Sequence, residues 1–573
     1  MWILSNIKLN PDTPGNWYTY KNYRLFLSST DGKPESQNPR WLVVGYVLPR
    51  QNESSDFNNL PVNKILEMAY QKFGEDFIYH IKGNFVILRL ESDYFRIYSD
   101  RFAINKYFIW QSGNSFILSD SLKAITRSIA VKPFIEGMAV YALTYHFIGG
   151  ITMFWDIQHN LPGQIIESYE SKLIQSFYWK AEELTYSKNN DVSPIDIINQ
   201  LKSVMNRHIN IRDNNKISLS LTAGADSRIL FSLLLNQDKP LHTYTYGNPN
   251  SIDCVTAQQI AGITGVEHDI HDILFNSITF KKYGKRSVLI GESLTSLHRT
   301  HRLAAIEQEA QYAETMVLGT MGGEFVKGAN RDDYIISDFV FEFSQNQTKE
   351  TLIKFLRNKG FRQDKVDIEY LMDFFRKQNW CKQPKLVDLY SLVEISASLH
   401  HAQNNIQYRQ YINHVVTPFL DIDYLELLFQ SDYHFLIKNN LPTNFYRRLD
   451  NHRFSSEIQT LLNHELSAIP YNSGFIPREY QANKLFAAIK ARLRKRKWNY
   501  PANFPLGKWM NAFAIEELQR IKTENTIVSE AFDLEDLIST LTEKNKGTGE
   551  SFWVTYTSPI QLQYVWENFN GIW

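Results

Sequence analysis

The sequence predicts an α/β protein: an antiparallel, layered sheet region, then a parallel sheet crossed by helices, then a long helical region. Three patterns carry this expectation. Roughly the first 170 residues read as short strands separated by turn signals. Strand and helix then alternate, the order that produces a parallel sheet. From about Lys349 onward the apolar period is helical. At 573 residues the chain is too long for one hydrophobic core. The expected division is 1–180, a linker at 181–193, and 194–573, helix-rich after about 350.

In the first region, strands are expected at 41–47, 84–90, 94–98 and 115–118, with a helix from Val62 to Phe73 between the first two. Residues 180–194 are polar and poorly periodic, contain Ser187-Lys188-Asn189-Asn190-Asp191, and read as the linker. A helix over 194–208 leads to a strand at 216–221, a small-residue turn, and a helix beginning near Ser227. Further strands are expected at 241–246, 267–270 and 315–318, with a helix near 255–262 between the first two. Helical periods at 387–398 and 424–430 exemplify the last region, and no internal repeat is visible.

Composition narrows the function classes. Hydrophobic residues make up 43% and charged residues 21%, as in soluble globular chains. The 61 basic and 61 acidic residues cancel, so nucleic acid, including a tRNA substrate, is not an expected partner. The local exception, Arg492-Leu493-Arg494-Lys495-Arg496-Lys497-Trp498, reads as a solvated helix end, with a phosphate or acidic partner as the alternative. The two cysteines, Cys254 and Cys381, build neither a disulfide framework nor a zinc site. No signal peptide and no run of ~18 apolar residues is seen, so no membrane association and a cytoplasmic location are expected.

The chemistry concentrates in Leu221-Thr222-Ala223-Gly224-Ala225-Asp226-Ser227-Arg228, where a strand meets a helix through small residues. Such a turn lets backbone amides approach an anion, and the helix amino terminus adds a favourable dipole. The hydroxyls of Thr222 and Ser227 add donors. Asp226 beside a phosphate is repulsive unless a cation intervenes, and a magnesium ion between Asp226 and pyrophosphate removes that conflict. Taken alone, the segment serves equally as an ordinary strand–turn–helix with a Ser/Asp cap.

The loop resembles the Ser-Gly-Gly-x-Asp-Ser pyrophosphate motif of the asparagine synthetase family. Other segments follow in that family's order: Lys82-Gly83-Asn84-Phe85 and Ser99-Asp100-Arg101-Phe102; Leu161-Pro162-Gly163, with Thr152-Met153-Phe154 before and Phe177-Tyr178-Trp179 after; Asp253 with Ala257 and Ala261; Gly319-Thr320-Met321-Gly322-Gly323-Glu324; and Pro418-Phe419-Leu420-Asp421. The resemblance implies an amino-terminal glutaminase-like sandwich of the Ntn type and a synthetase domain of the PP-loop, adenine nucleotide α-hydrolase-like class. It also implies ATP and Mg2+ as cofactors, with adenine near residues 219–221 and Tyr246-Gly247 and phosphates on the 221–227 loop, Gly319 and Gly322.

Three departures from the family qualify this. The family's glutaminase uses an amino-terminal Cys, whereas position 2 here is Trp, so glutamine hydrolysis is expected to be lost. Gly323 stands at the family's metal-binding Asp, leaving Glu324 to join Asp226 as the expected metal ligands. Asn472 stands where the family has a phosphate-stabilising Lys; of Arg447, Arg448, Lys327 and Arg228, the preferred replacements are Lys327 and Arg228. The expected catalytic set is therefore Asp226, Glu324, Lys327 and Arg228. The reaction implied is adenylation of a small-molecule, sugar-acid or peptide carboxylate and its transfer to ammonia or a substrate amine, by a homodimer or with a partner glutaminase. A lasso-peptide-type macrocyclase and a non-catalytic binding subunit are the alternatives.

Overall fold

The computed structural model describes residues 1–28, 39–53, 60–185, 191–211, 216–273, 275–297, 300–329, 335–438, 444–504, 506–543 and 550–570. Two antiparallel sheets lie in the amino-terminal part. One has six strands, in the order Ile157–His159, Phe108–Ser112, Ser115–Ser119, Trp2–Ser5, Arg24–Ser28 and Gly15–Thr19. The other has five, in the order Lys172–Phe177, Gln164–Tyr169, Phe95–Ser99, Phe85–Leu90 and Trp41–Gly45. Successive side chains in a strand point to opposite faces. Trp2, Leu4, Leu25, Leu27 and Leu118 therefore meet Val86, Leu88 and Ile97 between the sheets, while Ile3, Phe26, Ile117, Phe85 and Ile87 face outward into the main core. The helix Val62–Phe73 covers the Trp41–Gly45 strand, and Leu122–Ser128 covers the other sheet.

The linker expectation falls partly on residues 186–190, which lie outside the described set. After it, helix Pro194–Ile209 opens with a capping box: the Ser193 side chain accepts from Asp196 N–H while the Asp196 carboxylate accepts from Ser193 N–H. Pro194 at the first helical position is preset for the turn. This helix carries His208 into a buried polar cluster. Ser193→Ala is expected to lower stability by about 1 kcal/mol, read as a shift of the urea unfolding midpoint.

The second half is built on five parallel strands in the order Glu267–His271, Leu241–Tyr246, Ile217–Ser220, Thr315–Val317 and His414–Val416. Both faces are covered, as parallel sheets require. Ile217, Leu219, Val317 and Val416 enter the main core, and Tyr244, Met316 and Val415 a second one. Beneath the sheet, the buried Glu309 carboxylate accepts from His242 Nδ1 (2.8 Å) and His271 Nε2 (2.9 Å) and also bonds Ser218, tying three strands together.

The expected strands and helices of this half are present, with the helix after the 221–224 loop running Ala225–Leu234, two residues earlier than expected. The fifth strand, His414–Val416, lies inside the stretch that reads as helical. The helical period at 387–398 resolves into an α-turn, Val387–Tyr390, and a π-helical segment, Ser391–His401.

The two halves are joined through a buried ionic cluster. Lys82 Nζ donates to Asp421 (2.9 Å to Oδ1) and lies 2.6 Å from Asp423 Oδ2. His208 Nε2 bonds Asp421 Oδ2 at 2.8 Å, and Tyr46 OH bonds His208 Nδ1 at 3.0 Å. Asn84 Nδ2 donates to Thr417 Oγ1 at 3.1 Å. Two motifs picked out in the sequence, 82–85 and 418–421, are thus contact partners. The 99–102, 161–163 and 177–179 motifs likewise converge: Gly163 N–H donates to Asp100 O (3.1 Å), and Tyr178 N–H to Gly163 O (3.0 Å).

Candidate functional site

Chain order places the parallel sheet's reversal point between Ile217–Ser220 and Thr315–Val317. The first three strands step outward from Ile217–Ser220 to one side, and the last two step out on the other. Beyond the carboxyl ends of the strands flanking such a reversal, the connecting loops part and leave a crevice. The loops there are 221–224 and 318–323, the two singled out in the sequence.

The first loop is held by its own side chains. Thr222 N–H donates to Ser227 Oγ (3.2 Å), and Gly224 N–H to Thr222 Oγ1 (3.0 Å). Ala223 is clamped on both sides: its N–H donates to Asp253 Oδ1 (3.1 Å), and its carbonyl accepts Asn472 N–H (3.0 Å). Gly224 is the helix cap and brings no capping side chain, so among the described residues the first turn of Ala225–Leu234 has no side-chain cap. A helix start of this kind favours an anion.

The second loop presses on Asp226. A side chain at Gly322 would place its Cβ 2.8 Å from Asp226 Cγ and 2.7 Å from Phe419 Cε2. At Gly323 the same point lies 2.7 Å from Lys327 Nζ and 3.4 Å from Asp226 Oδ2. The missing side chain at 323 thus leaves the Lys327 ammonium facing Asp226 across a gap. Gly319, by contrast, makes only ordinary contact with Ser227 N (3.4 Å).

Asp226, Gly323, Glu324 and Lys327 line a cavity of about 360 Å³ together with Ile335, Ile336 and Leu392 and the polar Ser396 and Asn451. Burial raises the Asp226 carboxyl, partly offset by Lys327. Glu324 is pushed up to about 7 by burial and by Asp226, again offset by Lys327. Two neighbouring carboxyls that oppose each other's ionisation are suited to a shared cation. Among the described residues no group of three or more His, Cys, Asp or Glu converges on a metal position. A magnesium ion held by this pair would take waters and substrate oxygens as its other ligands.

Other expected site residues lie elsewhere. Arg228 was expected to balance charge but is fully buried and turned away. Its guanidinium donates to the carbonyls of Leu466 (2.6 Å), Ile469 (3.1 Å) and Pro470 (3.2 Å) and stacks on Tyr471 at 4.5 Å. It positions the 466–471 segment, and through Asn472 the first loop; three carbonyl acceptors hold it more strongly than an open cavity would. Tyr246 and Gly247 do not line the cavity. Phe504 lies 5.5 Å from the Tyr246 ring, and a Gly247 side chain would meet Asn503 Oδ1 at 2.0 Å, so this end of the sheet is covered by chain. Leu221, Thr222, Ala223, Gly224, Ala225, Ser227, Gly319 and Gly322 form the loops around Asp226 rather than the cavity wall. The wall residues Ile335, Ile336, Leu392, Ser396 and Asn451 carry no local signal, because they converge only in three dimensions.

In the amino-terminal part, Trp2 is 2% exposed, its ring in the core between the sheets, 5.8 Å from Tyr107. Both cysteines are buried and lie beyond the antiparallel sheets. No helix among the described residues is long and apolar enough to cross a membrane.

No family model matches this sequence. No curated protein sequence matches it either. Among solved structures, one match is to the glutamine phosphoribosylpyrophosphate amidotransferase of B. subtilis, complexed with ADP and GMP. The TM-score is 0.19 at 8% identity, covering 44% of this chain and 52% of that one. The likeness thus spans about half of that enzyme, and at this score it carries no argument.

Proposed function

We propose that this chain is an ATP-dependent carbon–nitrogen ligase that adenylates a carboxylate and passes the acyl group to ammonia or an amine. The observation that supports it is the meeting, at the reversal point of the parallel sheet, of two partly buried carboxyls and a lysine on one cavity, with Asp226 reaching it from the first turn of a helix whose cap residue, Gly224, brings no side chain.

A substrate carboxylate oxygen attacks the α-phosphorus of ATP. The bond from that phosphorus to the bridging oxygen breaks, and pyrophosphate departs. The first-turn N–H groups of Ala225–Leu234 and the Thr222 and Ser227 hydroxyls receive the departing phosphates, and Lys327 balances their charge. Magnesium held by Asp226 and Glu324 would neutralise the phosphate oxygens. The amine then attacks the acyl carbon; AMP leaves with its bonding electron pair, and the amine loses a proton. Most of the rate arises from positioning and preorganised charge.

The buried Trp2 supports an amine supplied without glutamine hydrolysis by this chain: free ammonia, a partner glutaminase, or an amine on the substrate itself. ATP–pyrophosphate exchange with aspartate, uronic acids and short peptides tests the reading. Magnesium-dependent exchange with one acid class is expected; absence of both exchange and ATP binding would leave a non-catalytic binding subunit. Gly322→Ala is expected to weaken ATP binding about tenfold by displacing Asp226, whereas Gly319→Ala leaves it nearly unchanged, both read by calorimetry.

A further inference from the structure

We infer that the helix Lys484–Lys497 is an anionic membrane-surface anchor. Ala487 and Ala491 are its buried residues and dock it on the protein. On the opposite side of the helical wheel Leu485 (49% exposed), Phe486 (54%), Ile489 (60%) and Leu493 (50%) form one outward apolar stripe. A stripe facing water on a helix already docked by its other face has no role in this chain's core.

Charge identifies the partner. The helix carries Lys484, Lys490, Arg492, Arg494, Lys495, Arg496 and Lys497 and no acidic residue. Lys490 and Arg494 pair with Glu479, while Arg492, Lys495, Arg496 and Lys497 are exposed and pair with no carboxylate among the described residues. By angle around the helix, Arg492 borders the apolar stripe on one side and Lys490 and Lys497 on the other, while Arg496 closes the stripe at its carboxyl end. That is the pattern of a helix lying in an interface, apolar face in the acyl region and cations at anionic headgroups. Trp498 and the exposed Tyr500 follow at its end, their rings 5.9 Å apart, residue types that favour the headgroup level. The helix dipole accounts for cations in the last turn, but not for four exposed apolar residues beside them. Nucleic acid would leave the stripe in water, and a second copy would bring like charges together.

The anchor is coupled to the site. Arg494 donates to Gly474 O at 3.0 Å, and Asn472, two residues earlier, donates to Ala223 O at 3.0 Å. The 472–474 segment thus links the anchor helix to the 221–227 loop. This inference does not depend on the ligase reading.

The test is flotation of the full chain with vesicles of phosphatidylcholine alone or with about 30% phosphatidylglycerol. Binding is expected to the anionic vesicles only, to fall as salt rises, and to weaken at least about tenfold in Ile489→Glu and in the double variant Arg492→Glu/Arg496→Glu. These positions are exposed, so unchanged melting temperatures are expected to confirm folding. No flotation with anionic vesicles, equal binding to neutral ones, or binding unaffected by Ile489→Glu would overturn the inference. Capture by DNA or polyglutamate without vesicle binding would assign the helix to a polyanionic partner instead.

Discussion

Asp226→Ala loses pyrophosphate exchange by on the order of a hundredfold or more while the protein stays folded. Asp226 reaches the cavity from the first helical turn, next to the backbone amides proposed to receive phosphate. Its removal leaves Glu324 as the only carboxylate of the pair, and Lys327 without the charge it faces. The stability of the variant gives a second, opposite reading. The folded state raises the Asp226 carboxyl, so above its unfolded pKa, near 4, its ionisation works against folding. Neutralising it at pH 7 is therefore expected to hold or raise the melting temperature. Asp226→Asn separates charge from shape and should behave alike in both measurements. Retained exchange in either variant would remove the support for the proposed chemistry.

Asp421→Ala is expected to destabilise the protein by roughly 3–5 kcal/mol, because it strips a partner from a charge that stays buried. Lys82 and Asp421 have side chains 1% exposed each, and Asp421 also holds His208. Burial alone would raise the Asp421 carboxyl, yet the Lys82 ammonium and the His208 hydrogen bond hold it well below the usual carboxylate range. A depressed carboxyl contributes stability that is complete above its unfolded pKa, near 4, and is lost as pH falls through the folded value. Part of the acid limb of the unfolding curve should therefore disappear in Asp421→Ala. Lys82→Met, which removes the cation and leaves Asp421 to His208, tests the same cluster from the other side. Denaturant titrations at pH 7 and about pH 2 read both effects, and equal losses at the two values would contradict the assignment.

The element types of the parallel-sheet region were largely legible in the sequence, since local periodicity reports which face of a segment is buried. The helix Pro194–Ile209 and the strand Leu241–Tyr246 occupy the residues the periodicity predicts, to within one position. The loop at 222–227 was legible for a related reason: small residues, hydroxyls and an acid at a strand-to-helix junction have few other uses together. The strand His414–Val416 was not, because three residues are too short for a period and their burial depends on pairing with Thr315–Val317. Arg228 shows a different limit. Its position in the chain is beside the loop, but its direction is set by carbonyls about 240 residues away.

The sequence by itself determined the segments and their amphipathic faces, because those depend on residues a few positions apart. Only the tertiary structure decided which charges meet. Lys82 and Asp421 are 339 positions apart, and Gly323 faces Lys327 and Asp226 only because two loops converge at the sheet's reversal point. The outward apolar stripe of Lys484–Lys497 was equally undecided, since an amphipathic pattern does not say which face docks; two buried alanines settled it. Local order follows from short-range sterics and burial, whereas pairing across the chain depends on topology, which no local window contains.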